Sequence, residues 1–312
     1  MDAVESLGML SDQRIFPLNS YENRVYQVGI EESAPLIAKF YRPDRWTNEA
    51  IQEEHDFTLE LQSHELSVIA PLAYQGKTLH EHDGYRFALF PRQGGYAPEI
   101  EMPDTLFRIG RNIGRMHQIG RSKPFEHRRA LSIKVWAEDS RAFILENNFI
   151  SESLKPAYES LTHDIIEKVT SIWESTPFST QRLHGDCHLS NILWRDDLAH
   201  FVDFDDCIMG PAVQDLWLML SGDAQQQSGQ LIELVEGYEE FCEFDPRELN
   251  LVEALRTLRM MHYAAWLARR WTDPAFPMHF PWFNTERYWS EHILELREQF
   301  AALHEPPLRL MP

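Results

Sequence analysis

Cysteine is nearly absent from this chain. Cys187, Cys207 and Cys242 are the only three in 312 residues. So sparse and odd a set excludes a disulfide scaffold and points to a reducing compartment. Long apolar runs are missing as well: the longest cluster, around Leu216 to Leu220, falls far short of the about 18 residues that a membrane-spanning helix needs. Positive charge is scarce, with 29 Lys and Arg against 49 Asp and Glu and a formal net charge of -20. Such a surface repels phosphate backbones and anionic lipid. Nucleic-acid and membrane partners are therefore not expected, a basic partner is mildly favoured, and a local basic pocket for phosphate stays compatible. The opening MDAVESLGML is acidic and has no basic segment leading into an apolar stretch, unlike a signal peptide. A cytoplasmic protein acting as a monomer is the expectation.

No internal repeat, low-complexity linker or G-x-G-x-x-G turn is present either. What remains is the composition of an ordinary globular protein, 43% hydrophobic and 25% charged, long enough for one bilobal enzyme or two domains. Its character changes near residue 95. Before that point, β-like runs at Arg24 to Ile30, Pro35 to Tyr41 and Tyr85 to Phe90 are rich in aromatic and branched residues and bounded by polar or breaker residues. Between them TNEAIQEEHDFTLEL reads as a helix, with Thr47 as N-cap, Glu49 in the first turn and Ala50, Phe57 and Leu61 as its apolar stripe. After the breaker-rich PRQGG, helices are predicted around 106 to 116, 131 to 147, 151 to 174, 229 to 242, 247 to 271 and 285 to 303. A β-rich island at 192 to 204 interrupts them, and its Asp196-Asp197 pair reads as a hairpin turn. The pattern is an α+β chain: a small β-rich N-lobe over 1–95, a hinge, and a larger helical C-lobe over 96–312. A cleft between two such lobes suits a nucleotide.

The chemistry concentrates in LHGDCHLSNILW at 183 to 194 and FVDFDD at 201 to 206. Asp186 and Asn191 stand in the spacing D-x-x-x-x-N, and Asp203 follows Asp186 by 17 residues. Phosphoryl transfer from ATP asks the protein for a carboxylate to orient and deprotonate the incoming hydroxyl, and for hard oxygen donors to hold Mg2+ on the phosphates. Asp186 fits the first role, and Asn191 and Asp203 fit the second. His184 and His188, with Cys187 between them, superficially suggest zinc. No second ligand pair has structural-site spacing, so His184 reads better as a brace for the loop and the thiols as packed side chains. Asp205 and Asp206 are open between support for the metal site and a solvated turn.

This order of motifs resembles the protein kinases, whose H-R-D-x-x-x-x-N is followed by D-F-G. Gly185 in place of Arg, and D-F-D in place of D-F-G, bring it closer to the aminoglycoside phosphotransferase and choline kinase superfamily. Its H-G-D-x-x-x-x-N is met by His184, Gly185, Asp186 and Asn191. The resemblance implies a bilobal protein-kinase-like fold of the aminoglycoside phosphotransferase type, with ATP as co-substrate and Asp203 as a metal ligand. It also implies that Asp215 in GPAVQDLW is structural, accepting backbone N–H bonds from the catalytic loop. Lys39 in IAKFY occupies the strand position from which a kinase lysine reaches the α- and β-phosphates. Glu54 is the preferred partner for it over Glu53 or Glu49, because it lies nearest the inward stripe. PLNSYENRVY would cover the phosphates through Asn19 or Ser20, or be a polar hairpin turn, and Phe90 to Gly94 would meet adenine.

LNSYENRVYQ, AKFYRPDRW, GRMHQIGR, LHGDCHLSNILWRD, GPAVQDLW and AWLARRWTDPAFP together are similar to the bacterial stress response kinase A family, from about residue 17 to residue 307. That resemblance implies a serine/threonine kinase with a protein substrate, active in envelope and oxidative stress. It associates Ser20 with the ATP site and implies a chain starting later than typical members. The residues alone leave the acceptor open, since a small-molecule kinase acting on an amino alcohol, sugar or aminoglycoside would carry the same motifs. A pseudokinase is disfavoured by the presence of Lys39, Asp186, Asn191 and Asp203. The segment MMHYAAWLARRWTDPAFP, with Arg269 and Arg270 adjacent, is read either as part of the acceptor side or as a core helix with a solvated basic face.

Overall fold

The computed structural model describes residues 1–18 and 20–310. A single turn, α1 (Asp2–Glu5), precedes β1 (Ser11–Pro17), β2 (Arg24–Ile30) and β3 (Leu36–Phe40). Helix α2 (Asn48–Ser63) follows, then β4 (His80–His82) and β5 (Tyr85–Pro91). The five strands form one antiparallel sheet in the order β1-β2-β3-β5-β4. Strand β1 was not expected from the sequence. It is a charged, largely exposed edge strand, and edge strands need no alternating apolar pattern.

Helix α2 begins where its cap chemistry says it should, with the Thr47 hydroxyl accepting from the Ala50 N–H at 3.2 Å. Ala50, Phe57 and Leu61 are fully buried, as the stripe requires. Phe57 and Leu61 join the large core that fills the helical lobe, so α2 belongs physically to both lobes. The outer face of the sheet has its own small core of Val28, Ala38, Phe87 and Leu89 with Ala3 and Val4 of α1.

The second part consists of α3 (Thr105–Gly120), α4 (Asp139–Glu146) preceded by a π-turn at Lys134–Glu138, α5 (Lys155–Ser175), β6 (Gln181–Leu183), β7 (Ile192–Arg195) and β8 (Leu198–Phe201). After these come β9 (Ile208–Gly210), α6 (Val213–Trp217), α7 (Ala224–Tyr238), α8 (Val252–Arg269), α9 (Ala275–His279) and α10 (Glu286–Ala302). The expected helices are all present, with ends moved by a few residues. Helices α3 and α7 meet backbone to backbone: a Cβ on Gly110 would fall 1.9 Å from the Leu234 carbonyl oxygen, and one on Gly237 1.9 Å from that of Phe107. No helix among the described residues is long and apolar enough to cross a membrane.

The β7–β8 hairpin is the joint of the molecule. Its two-residue turn, Asp196-Asp197, has φ of 52° and 60°, both left-handed as a tight hairpin turn of this type demands. On one side the Phe201 N–H donates to Ser67 O at 2.9 Å and the Phe201 carbonyl accepts from the Ile69 N–H at 3.0 Å, tying the hairpin to the segment leaving α2. On the other, Trp194 and Tyr96 exchange both backbone bonds, at 2.7 and 3.2 Å, tying it to the segment leaving β5. The hairpin is therefore stitched to both exits from the sheet.

Glu248 accepts from the Val213 N–H at 2.9 Å at the start of α6, and burial pushes its carboxyl up to about 7 against that bond. An unfolded glutamate ionises near 4.5, so between these pH values the folded state holds the extra proton and stability falls as pH rises. The loss reaches about 3 kcal/mol above pH 7. Glu248→Gln keeps an accepting oxygen and should flatten that slope, leaving the variant more stable than wild type at pH 8 in urea titrations. Parallel pH profiles for the two proteins would exclude this role.

Candidate active site

Lys39 lies on β3, in register with Val25 of β2 and Ala88 of β5, so its side chain leaves the sheet toward α2. It is 6% exposed. Its Nζ donates to Glu54 Oε1 at 3.2 Å and to Asp203 Oδ1 at 3.1 Å, and lies 3.2 Å from Asp205 Oδ1. Burial alone would push the ammonium down, but the carboxylates of Glu54 and Asp203 outweigh it and hold Lys39 above its ordinary value. Of the three candidate glutamates, Glu54 is the partner. Glu53, one residue round the helix, instead accepts the N–H groups of Glu126, His127 and Arg128 at 2.6, 2.9 and 2.8 Å. Glu49 stays in the first turn of α2.

Behind Glu54 stands a residue that sequence reasoning missed. Arg128 is 4% exposed and donates from Nη2 to Glu54 Oε2 at 3.1 Å, from Nε to Ala50 O at 2.8 Å, and from Nη1 to Asp205 O at 2.8 Å and Cys207 O at 3.1 Å. One guanidinium thus fixes α2 against the segment after Asp203. Its partners are all more than seventy residues away, so no local pattern marks it.

The catalytic-loop candidates are held by Asp215, a fully buried carboxylate on α6. It accepts the His184 and Gly185 N–H groups, each at 2.8 Å, and pairs with His117 Nε2 at 3.0 Å. Gly185 has φ of +86°, and a Cβ there would lie 2.2 Å from the Asp206 carbonyl oxygen, which explains glycine where kinases carry arginine. His184 places Nε2 2.9 Å from Val202 O and packs on Phe204 at 4.5 Å between centroids. It braces the two loops, as the non-metal reading holds. Phe204 also meets Phe57 of α2 edge-on at 6.0 Å.

Asn191 and Asp203 come together through hairpin register. Ile192 pairs with Phe201 and the Val202 N–H donates to Asn191 O at 3.0 Å, so Asp203 lies one residue beyond the partner of Asn191. Asn191 spends its Nδ2 on the Asp186 carbonyl at 3.0 Å, which leaves its side-chain oxygen as a donor to a cation. Asp203 sits in a left-handed conformation, φ 59° and ψ 67°, with its carboxylate half exposed. Two such oxygen donors suit an ion that brings phosphate oxygens and water as its other ligands.

Asp186 is held from both sides. Arg259 of α8 donates to Oδ1 at 2.7 Å and His188 Nε2 lies 3.3 Å from Oδ2. Burial works to raise its carboxyl, but His188 and Arg259 together hold it well below the usual carboxylate range. It is therefore ionised at any working pH, as an acceptor of a hydroxyl proton must be. Asp205, left open by the sequence, is 4% exposed and built in: the Asn23 amide donates to it at 3.0 Å, and Arg45 pairs with it and with Asp206.

Ser20 is not among the hydrogen-bond partners of Lys39 or Asp203. It lies in the β1–β2 loop and lines a cleft of about 300 Å³ with Tyr21, Arg24, Phe276 and His279; Asn19 is outside the described residues. The loop is anchored instead by Glu22, which accepts from Trp266 Nε1 at 2.5 Å and pairs with Arg270 at 2.7 Å and Arg42 at 3.3 Å. The segment containing Trp266 and Arg270 is part of a core helix, with Arg270 at its end paired rather than solvated. Its Leu255, Leu258, Met261 and Ala265 are core, while Arg259, Trp266 and Arg270 face the cleft.

The model of the phosphotransferase enzyme family matches residues 14–252. Two curated proteins align with the whole chain and with 94% of their own length: Stress response kinase A of Escherichia coli at 47% identity, and Serine/threonine protein kinase RdoA of Salmonella typhimurium at 46%. Among solved structures, an amicoumacin kinase in complex with AMP-PNP and Ca2+ superposes with a TM-score of 0.73 at 19% identity, covering 96% of this chain and 90% of that one. A microcompartment-associated aminopropanol kinase gives 0.69 at 19% identity, covering 97% and 96%.

Arg128→Met strands a buried carboxylate and should lower the unfolding free energy by about 3–5 kcal/mol. Glu53→Gln, which keeps an accepting oxygen, should cost only about 1 kcal/mol. Guanidinium titrations of the two variants rank them, and equal midpoints would remove Arg128 from its bracing role.

Proposed function

The chain belongs to the phosphotransferase enzyme family, and on that premise we propose that it is an ATP-dependent, magnesium-dependent serine/threonine protein kinase of the stress-response type. The kinase fold is common to this chain and its relatives; the protein acceptor is supported by full-length similarity to proteins named as stress response and serine/threonine kinases. The single observation that carries the reading is the convergence on one cleft of Lys39, Glu54 and Asp203 with Asn191 and the doubly held Asp186.

In this reading Asp186 accepts the proton of the serine or threonine hydroxyl and aims its oxygen at the γ-phosphorus. Lys39, kept charged and oriented by Glu54, binds the α- and β-phosphates. Asn191 and Asp203 hold the magnesium ion, which when bound neutralises charge on the β- and γ-phosphate oxygens. A related fold bound to AMP-PNP and Ca2+ supports a nucleotide and a divalent cation in this cleft. The β1–β2 loop covers the phosphates, with Ser20 supplying a donor once nucleotide is present. The lobe over 1–95 serves the nucleotide and 96–312 the transfer, in a cytoplasmic monomer.

Asp186→Ala should lower kcat by about 10²–10⁴-fold while AMP-PNP affinity, by calorimetry, stays near wild type. Near-wild-type turnover would rule out Asp186 as the base. Asp203→Ala should instead weaken magnesium-nucleotide binding, and an unchanged affinity would remove its metal role. With γ-labelled ATP, magnesium, a mixed protein substrate and a metabolite panel, label is expected in protein; label only in a metabolite selects a small-molecule kinase.

A further inference from the structure

Arg259, His262, Trp266 and Arg269 follow one flank of α8 at three- and four-residue spacing, with Arg270 just past its end, so they form a stripe. Its first member bonds Asp186 at 2.7 Å, and Trp266 and Arg270 hold Glu22 of the loop between β1 and β2. The stripe therefore runs from the proposed base to that loop. Between those ends, His262 stacks on Trp136 of the π-turn, 5.3 Å between centroids and 15° between planes, and its buried Nδ1 has no partner among the described residues.

Two cations around this stripe differ from the rest of the cleft. Arg42, Arg45 and Arg270 are each spent on carboxylates. Arg129 and Arg269 have no carboxylate at salt-bridge distance among the described residues, in a chain with 49 acidic side chains. Arg129 is exposed, its guanidinium 5.3 Å above the Trp46 ring. Arg269 lies over Phe143 at 5.2 Å and donates only to the Asp139 carbonyl at 3.1 Å. Burial, then Arg270 and Arg129, push the Arg269 guanidinium below its ordinary value against the opposing pull of Asp139. The same burial, with Arg269, Arg270 and Arg129 prevailing over Asp206, pushes His262 down to about 4. Uncompensated positive charge gathers here on an otherwise strongly acidic protein.

We propose that this stripe is an acidic-residue subsite of the acceptor groove, Arg129 and Arg269 binding a carboxylate or phosphate on a peptide whose serine or threonine lies at Asp186. The proposal rests on the protein-kinase reading above and adds the class of protein it acts on. Position follows from geometry. Ten residues of helix separate Arg259 from Arg269, about 15 Å, which an extended peptide spans in about four to five residues. The acidic side chain belongs about four or five positions from the phosphorylated hydroxyl. The global charge would favour a basic partner, so the preference is a contact effect of these two arginines.

The test compares kcat/KM for matched serine peptides bearing Glu or Gln at each position from two to six on either side. Wild type should favour Glu about tenfold at one of the positions four or five, the worth of one charge-assisted contact. In Arg269→Gln and in the exposed Arg129→Gln that ratio should fall toward one, with AMP-PNP affinity unchanged as proof of folding, and Arg269→Lys should restore part of it. A preference for Gln or Lys peptides, or a ratio unchanged in both variants, overturns the subsite while leaving the protein-kinase reading standing. Failure to label any peptide, with a hydroxylated metabolite labelled in parallel, overturns both.

Discussion

One buried ammonium organises this molecule. Lys39 comes from the centre of the sheet and is met by Glu54 from α2 and by Asp203 and Asp205 from the segment after the β7–β8 hairpin. Removing such a charge from water costs several kcal/mol unless carboxylates surround it. The carboxylates need cations in turn, and Arg128 and Arg45 supply them from two further segments. Lys39, Arg128 and Arg45 then face Glu54, Asp203 and Asp205 in one connected network, which Arg45 extends to Asp206 and Glu22. Both lobes contribute, so the cleft's shape and the electrostatics of its floor are one construction.

The loop carrying Asp186 depends on that floor indirectly. Asp215 orients the His184 and Gly185 amides, and Gly185 in turn lets the loop approach the Asp206 backbone closely. Asp206 is adjacent to Asp205, whose carbonyl is bound by Arg128. A displacement of Arg128 would therefore reach the loop carrying Asp186 through the Asp205 carbonyl and the close approach of Asp206 to Gly185. Buried polar networks specify geometry in this way because an unmade bond inside is costly.

Legibility in the sequence followed distance along the chain. Asp186, Asn191 and the Asp196-Asp197 turn are local, and a hairpin register converts their spacing into neighbourhood. Glu54 was only preferred over Glu53 and Glu49 from its place near the stripe of Ala50, Phe57 and Leu61, and the structure decides it through the bond to Lys39. Arg128, Arg259 and Glu22 were not legible, because each acquires its meaning from partners 73 to 248 residues away and an isolated charged residue most often lies on a solvated surface. Strand β1 escaped for a different reason: as a paired edge it is stabilised by backbone bonds to β2, so its side chains need not alternate. Ser20 was carried by resemblance, and the structure places it beside α9.

The β1–β2 loop also fits the proposal that an acidic enzyme keeps an acceptor groove of the opposite sign. Glu22 draws Arg270, Arg42 and Arg45 to the N-lobe side, so those cations are neutralised before any ligand arrives. Arg129 and Arg269 lie outside this grouping. The remaining surface charge acts at a distance, and at physiological ionic strength its reach is about 8 Å. In that proposal a peptide approaching the groove is repelled by the distant carboxylates only weakly, and within contact range it meets two guanidinium groups that lie over aromatic rings with no carboxylate partner among the described residues. Long-range charge then governs how fast acceptors arrive, and short-range charge governs which of them stay. For this fold the two need not have the same sign, because the carboxylates near the cleft are already occupied by its own arginines and Lys39.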